Sequence, residues 1–100
     1  MPAKILIKRQ FKEGTIKEVS ALLNEFRSGA MNQPGYISGE TLVKEDDPHT
    51  LLVIGTWRKM QNWKTWKDNP KRKAFEDMLE IYQEGTTEYE EYHLGILHDE

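Results

Sequence analysis

Asn62 and Trp66 stand four residues apart in a stretch of helical period, so an amide and a large flat ring share one face. The amide can donate and accept hydrogen bonds, and the indole offers apolar surface and one N–H. Each also has a plainer role. A Trp spaced with Met60 and Trp63 is more often core packing, and an Asn near a helix start is more often solvated or a local cap. His49, His93 and His98 titrate near neutrality, so any of them could serve as a base. His93 alone falls in expected regular structure, where an exposed edge-strand position is the commoner fate. His93 and His98 with Asp99 and Glu100 have the composition of a metal site, but nothing in their spacing demands one, and no metal is expected. Tyr36, Tyr82, Tyr89 and Tyr92 could orient a ligand oxygen or donate one structural hydrogen bond each. Lys64, Lys67, Lys71, Arg72 and Lys73 form a basic run. Such a run is usually a solvated face, but it could draw an anionic ligand to a pocket mouth or balance Glu88, Glu90 and Glu91 of a second copy.

The composition narrows the classes. The chain has 100 residues, no Cys and a formal net charge of −3. That length is one domain, expected over residues 1–95 with a tail at 96–100, and it buries roughly 65% of its unfolded surface. Without cysteine there are no disulfides, thiolate nucleophiles or Cys-ligated metal centres. A slightly acidic chain with no basic block argues against binding nucleic acid by phosphate neutralisation. The longest apolar run, Leu51 to Ile54, is far short of the ~20 residues of a membrane span, so no membrane partner is expected. Met1-Pro2-Ala3-Lys4 carries no apolar signal core, and the expected compartment is cytoplasmic.

The pattern predicts four strands and two helical regions. Ile5, Leu6, Ile7 and Phe11 mark a strand over 4–11. Thr15 and Glu18 have capping-box spacing, and Ile16, Val19, Leu22, Leu23 and Phe26 form one helical stripe that Ser28-Gly29 can end. Asn32-Gln33-Pro34-Gly35 is a turn into a second strand over 36–44, and residues 45–49 form a hairpin loop before a third strand over 50–57. Met60, Trp63 and Trp66 begin a short helix that Asp68-Asn69-Pro70 interrupts. A second piece over 71–83 carries Phe75, Met78, Leu79 and Tyr82; Gly85 is placed to close it, and residues 87–94 form a polar fourth strand.

The expected fold is therefore α+β, a ferredoxin-like βαββαβ chain. Right-handed crossovers put both helical regions on one face of a four-stranded antiparallel sheet of order 4-1-3-2. The two strands with consecutive apolar residues, Ile5-Leu6-Ile7 and Leu51-Leu52-Val53-Ile54, are then central and dry on both faces. The helices can shelter only one face. A second copy is the simplest cover for the other, giving a face-to-face homodimer, the dimeric α+β barrel; burying a few hundred Å² is worth several kcal/mol at ~25 cal/mol per Å².

On Gln33-Pro34-Gly35-Tyr36-Ile37, Gly55-Thr56-Trp57 and Trp63-Lys64-Thr65-Trp66, the chain resembles the antibiotic-biosynthesis monooxygenase domain family from about Ala3 to Leu94. The resemblance implies the dimeric barrel and a choice of activities, including cofactor-free oxygenation of polycyclic phenols, quinol oxygenation and heme degradation. In the cofactor-free reaction the ionised phenol or hydroquinone itself reduces O₂, so the protein needs an apolar slot, a polar group that steers proton loss, and exclusion of water. Asn62 and Trp66 look like the catalytic pair of the phenol-oxidising members. Trp63, Arg72, Tyr82 and His93 are the expected contacts for a small aromatic substrate. Those members also use an Arg further along; residues 83–91 have none, and Arg72 is an unaligned substitute. The heme-degrading branch uses a strand-1 Asn and a His in the last helix. Here Ile7 stands near the first place and residues 71–83 contain no His, so an iron porphyrin lacks its proximal ligand. The expected function is oxygenation of a planar phenol or quinol by O₂ with no cofactor. The alternatives are a non-catalytic dimer that binds a small apolar metabolite, and a purely structural dimerisation module.

Overall fold

Alternation along the first strand sets the two sides of the molecule. In the computed structural model, which describes residues 1–96, β1 (Ala3–Phe11) buries Ala3, Ile5, Ile7, Arg9 and Phe11 and exposes Lys8 and Gln10. The other elements are α1 (Ile16–Met31), β2 (Tyr36–Lys44), β3 (Asp47–Trp57), α2 (Met60–Lys67), α3 (Pro70–Glu80) and β4 (Gln83–His93). The sheet order is β2-β3-β1-β4 and every pairing is antiparallel, as the strand polarity requires. Ile7 pairs with Val53 on the helix side, and Leu6 with Ile54 on the back.

Two clusters fill the space between helices and sheet. One joins Ala3, Ile5, Ile7, Trp57, Trp63 and Trp66. The other joins Phe11, Val19, Phe26, Leu51 and Leu79, with Tyr82 packed against it. The principal extents are 48 × 31 × 19 Å, and the shortest of these is a sheet plus one layer of helix. The back of the sheet therefore has no covering layer among the described residues. It carries Leu6, Leu52 and Ile54, half-buried along the middle, with Leu42 beside Leu52 and 44% exposed. Lys8, Glu40, Glu88 and Glu90 frame this aliphatic stripe.

Several local expectations are corrected. The capping box does not form: the Thr15 hydroxyl donates instead to the Lys12 carbonyl at 2.7 Å and makes no bond to the first turn of α1. The helix runs past Gly29 to Met31. The hairpin loop shrinks to residues 45–46, since Asp47 pairs with Lys44 and β3 starts there. Helix α3 stops at Glu80, because Gln83 is already paired with Phe11 as the start of β4. Gly85 closes no helix. It takes φ +79° inside β4, where the β1–β4 register shifts, a bulge that a residue with a Cβ would strain. His98 and the expected tail beyond residue 96 lie outside the described residues.

Candidate functional site

Spacing and breakers in residues 60–72 place the aromatic wall. Trp63 and Trp66, three apart on α2, point into the core and are each 2% exposed. Pro70 at the first position of α3, with the Asn69 side chain accepting from the Lys71 N–H at 2.8 Å, starts a new helix. Its first turn brings Arg72 inward to the same space. The result is a cavity of about 110 Å³ between α1 and the helix-facing side of the sheet. Trp57, Trp63, Trp66, Phe26 and Tyr36 give it aromatic walls, Ile7 and Val53 an aliphatic floor, and Arg9, Arg27 and Arg72 its charge. The Arg27 guanidinium donates to the Gly39 carbonyl at 2.9 Å, which ties α1 to β2 at the rim. The cavity is open on one side and somewhat smaller than the ~150 Å³ enclosed space that takes up benzene in an apolar core.

Behind the slot lies one ionic network. Arg9 donates to both Glu76 oxygens, through Nε at 3.1 Å and Nη2 at 2.9 Å. The Thr87 hydroxyl at 3.1 Å and the Tyr89 hydroxyl at 3.2 Å donate to the same carboxylate, and Arg72 Nη2 approaches it to 3.5 Å. Arg72 also donates to the Tyr89 oxygen at 3.2 Å, and its guanidinium carbon lies 5.0 Å from the Trp63 ring centre and 5.4 Å from those of Phe26 and Tyr89. Such cation–π contacts hold a buried charge that one carboxylate only partly neutralises. Burial pushes the Glu76 carboxyl up, but the hydrogen bonds and charge of Arg9, the charge of Arg72 and the Thr87 hydroxyl outweigh it, leaving Glu76 below its ordinary value and ionised. Burial raises the Tyr89 phenol, against the charge of Arg72, and keeps it protonated as a donor.

The expected site residues separate. Trp63, Trp66 and Arg72 line the slot. The Trp63 indole N–H donates to the Glu91 carboxylate at 2.6 Å, which fixes its plane. Asn62 does not line the slot. Its side chain lies directly against Gly35, which has φ +83° and no room for a Cβ. Tyr82 belongs to the Phe11–Leu79 cluster, and His93 is exposed at the end of β4, paired with Ala3. His49 falls in β3 and not in the hairpin loop, with its Nδ1 3.9 Å from an Asp47 carboxylate oxygen. Among the described residues no group of His, Asp and Glu is arranged to hold a metal ion. Arg9, Arg27 and Glu76 went unflagged in the sequence. The signal for Arg9 was there, as a charged residue on the buried side of an alternating strand between Ile7 and Phe11.

Gly29 explains how the ring of Trp66 reaches the slot. A Cβ at residue 29 would stand 2.8 Å from the far edge of that ring. Gly29→Ala gains ~1 kcal/mol of helix propensity but meets an overpacking cost of ~1–3 kcal/mol, and the free volume beside Trp66 lets the ring tilt into the slot. The expected result is a net loss of about 1 kcal/mol by urea unfolding, with a disproportionate loss of ligand binding.

No curated protein matches the chain. Solved structures do. A conserved protein from Methanosarcina mazei Go1 superposes with a TM-score of 0.85 at 16% identity, covering 92% of this chain and 91% of that one. SnoaB, a cofactor-independent oxygenase from Streptomyces nogalater, gives 0.84 at 14% identity over 99% of this chain and 98% of its own. Rv0793 from Mycobacterium tuberculosis gives 0.81 at 12% identity over 99% and 98%. At these identities the likeness is one of fold. The profile of the antibiotic biosynthesis monooxygenase family matches residues 2–78, most of the chain and most of the slot's walls, and the chain belongs to that family.

Proposed function

We propose that this chain is a monooxygenase that seats a planar phenol or quinol in the slot beside Trp66 and lets it react with O₂ without a cofactor. The observation that carries this reading is the slot itself: a space walled by indole and phenyl rings, with the buried guanidinium groups of Arg9 and Arg72 in its lining. Aromatic walls bind a flat ring, and fixed positive charge favours its ionised, electron-rich form. That anion supplies the electrons. For a hydroquinone, one oxygen atom of O₂ enters the ring, the other leaves as water, and the product is the hydroxyquinone. Oxygen uptake with a panel of hydroquinones tests the reading. Uptake above the autoxidation blank, saturating in substrate, is expected; none with any member would overturn it.

A non-catalytic binding protein is the second reading. It is favoured by one feature: among the described residues no imidazole or carboxylate side chain faces the slot to act as a base. Binding without oxygen uptake would select it.

We also propose that a second copy covers the back of the sheet. The Leu6, Leu42, Leu52 and Ile54 stripe supports this, since it is aliphatic, central and without a covering layer among the described residues. The chain is expected to sediment as a dimer at micromolar concentration. Leu52→Lys should shift it to monomer by placing a charge in that stripe. A monomeric wild-type mass would contradict the pairing.

A further inference from the structure

Charge in the slot is one-sided. Arg9 and Arg72 are each 3% exposed, and among the described residues the buried carboxylate that faces them is Glu76 alone. Arg27 adds a third guanidinium at the rim. Glu40 also borders the slot, but it pairs with Ile54 in the register that turns side chains to the back of the sheet. Glu76 has no spare role, because its two oxygens already receive Arg9, Thr87 and Tyr89.

The arginines are not fully used. Arg9 spends Nε and Nη2 on Glu76, and Arg72 spends Nη2 on Tyr89 and Glu76. The remaining guanidinium nitrogens have no protein partner among the described residues. Yet among the described residues no fully occluded side-chain nitrogen or oxygen lacks a partner, so these nitrogens border open space. Arg9 and Arg72 both line the slot, and Arg72 also lines an outer cleft with Lys67 and Tyr89. With donors but no imidazole or carboxylate side chain facing it among the described residues, the slot suits a ligand that has already lost its proton.

Resting on the oxygenase reading of the same slot, we propose that its ligand is a planar aromatic anion, ionised before it binds, whose negative oxygen is received by the unpaired N–H groups of Arg72 and Arg9. An enolic or phenolic oxygen and a ring carboxylate share this chemistry. Arg72 is then the residue that selects charge, and the Trp66 ring the one that selects flatness.

The test is calorimetric titration of the intact protein under nitrogen, where no turnover is read. Lawsone, a hydroxynaphthoquinone ionised at neutral pH, is compared with its neutral methyl ether, and benzoate with benzamide. At least one anion should bind about tenfold or more tightly than its neutral partner, and the pair that does names the oxygen type. Arg72→Gln should shrink that preference to about twofold or less, since a buried charged partner has been removed. Equal affinities within both wild-type pairs would overturn the proposal without needing any variant to fold, as would an undiminished preference in a folded Arg72→Gln protein. Absence of oxygen uptake would leave this result standing, and equal affinities would leave the oxygenase reading standing.

Discussion

Glu76→Ala is expected to cost about 3–5 kcal/mol of stability, the range for removing one partner of a buried ion pair. The cost comes from what is left behind. Arg9 and Arg72 are each 3% exposed and would be two guanidiniums in a low-dielectric space with no counter-charge between them. Thr87 and Tyr89 would lose their acceptor as well. For a small domain with a total stability of ~5–15 kcal/mol this is a large share, and urea unfolding would show it directly. Replacing both partners, Arg9→Met with Glu76→Leu, should cost less than Glu76→Ala alone, because the strain lies in the orphaned charge. A loss under about 1 kcal/mol for Glu76→Ala would mean the network is solvated.

The same carboxylate sets an acid limit. Its folded-state pKa is depressed below the ordinary 4.5, so its contribution is complete above that pH and disappears as pH falls through the folded value. Acid titration of the wild type should therefore lose stability below about pH 4.5, and Glu76→Gln should flatten that slope.

Trp66→Ala should separate site from core. Removing a buried Trp costs ~3–5 kcal/mol when the cavity stays open, and here the void would merge with the slot. Ligand affinity should fall by at least about thirtyfold, the mark of an anchoring aromatic, measured at a temperature where the variant remains folded. If planar quinols bind the folded variant as well as they bind wild type, Trp66 is core packing only.

Much of the scaffold could be read from local pattern. Consecutive aliphatic residues in β1 and β3 marked the central strands, the two with a neighbour on either side in the sheet. Pro70 marked the break that aims Arg72, since proline suits a helix start and not its interior. Trp63 and Trp66 were legible from their spacing. The network behind the slot was not, because period tells which residues share a face and not which meet across the fold: Arg9 and Glu76 lie 67 residues apart. Asn62 shows the converse. It shares a helix with Trp66, but the close turn at Gly35 takes its side chain away from the slot. Gly29 read as a helix end because glycine commonly is one; its actual reason is the indole packed over it, a contact no local window contains.

The claim that the bound ring itself reduces O₂ is tested most directly by mass spectrometry of the product formed under isotopically heavy O₂, quenched promptly, with purified chain and a quinol that occupies the slot. One heavy oxygen atom is expected in the hydroxyquinone, and Trp66→Ala should remove the signal. A product carrying only solvent oxygen, or a bound quinol recovered unchanged, would contradict it.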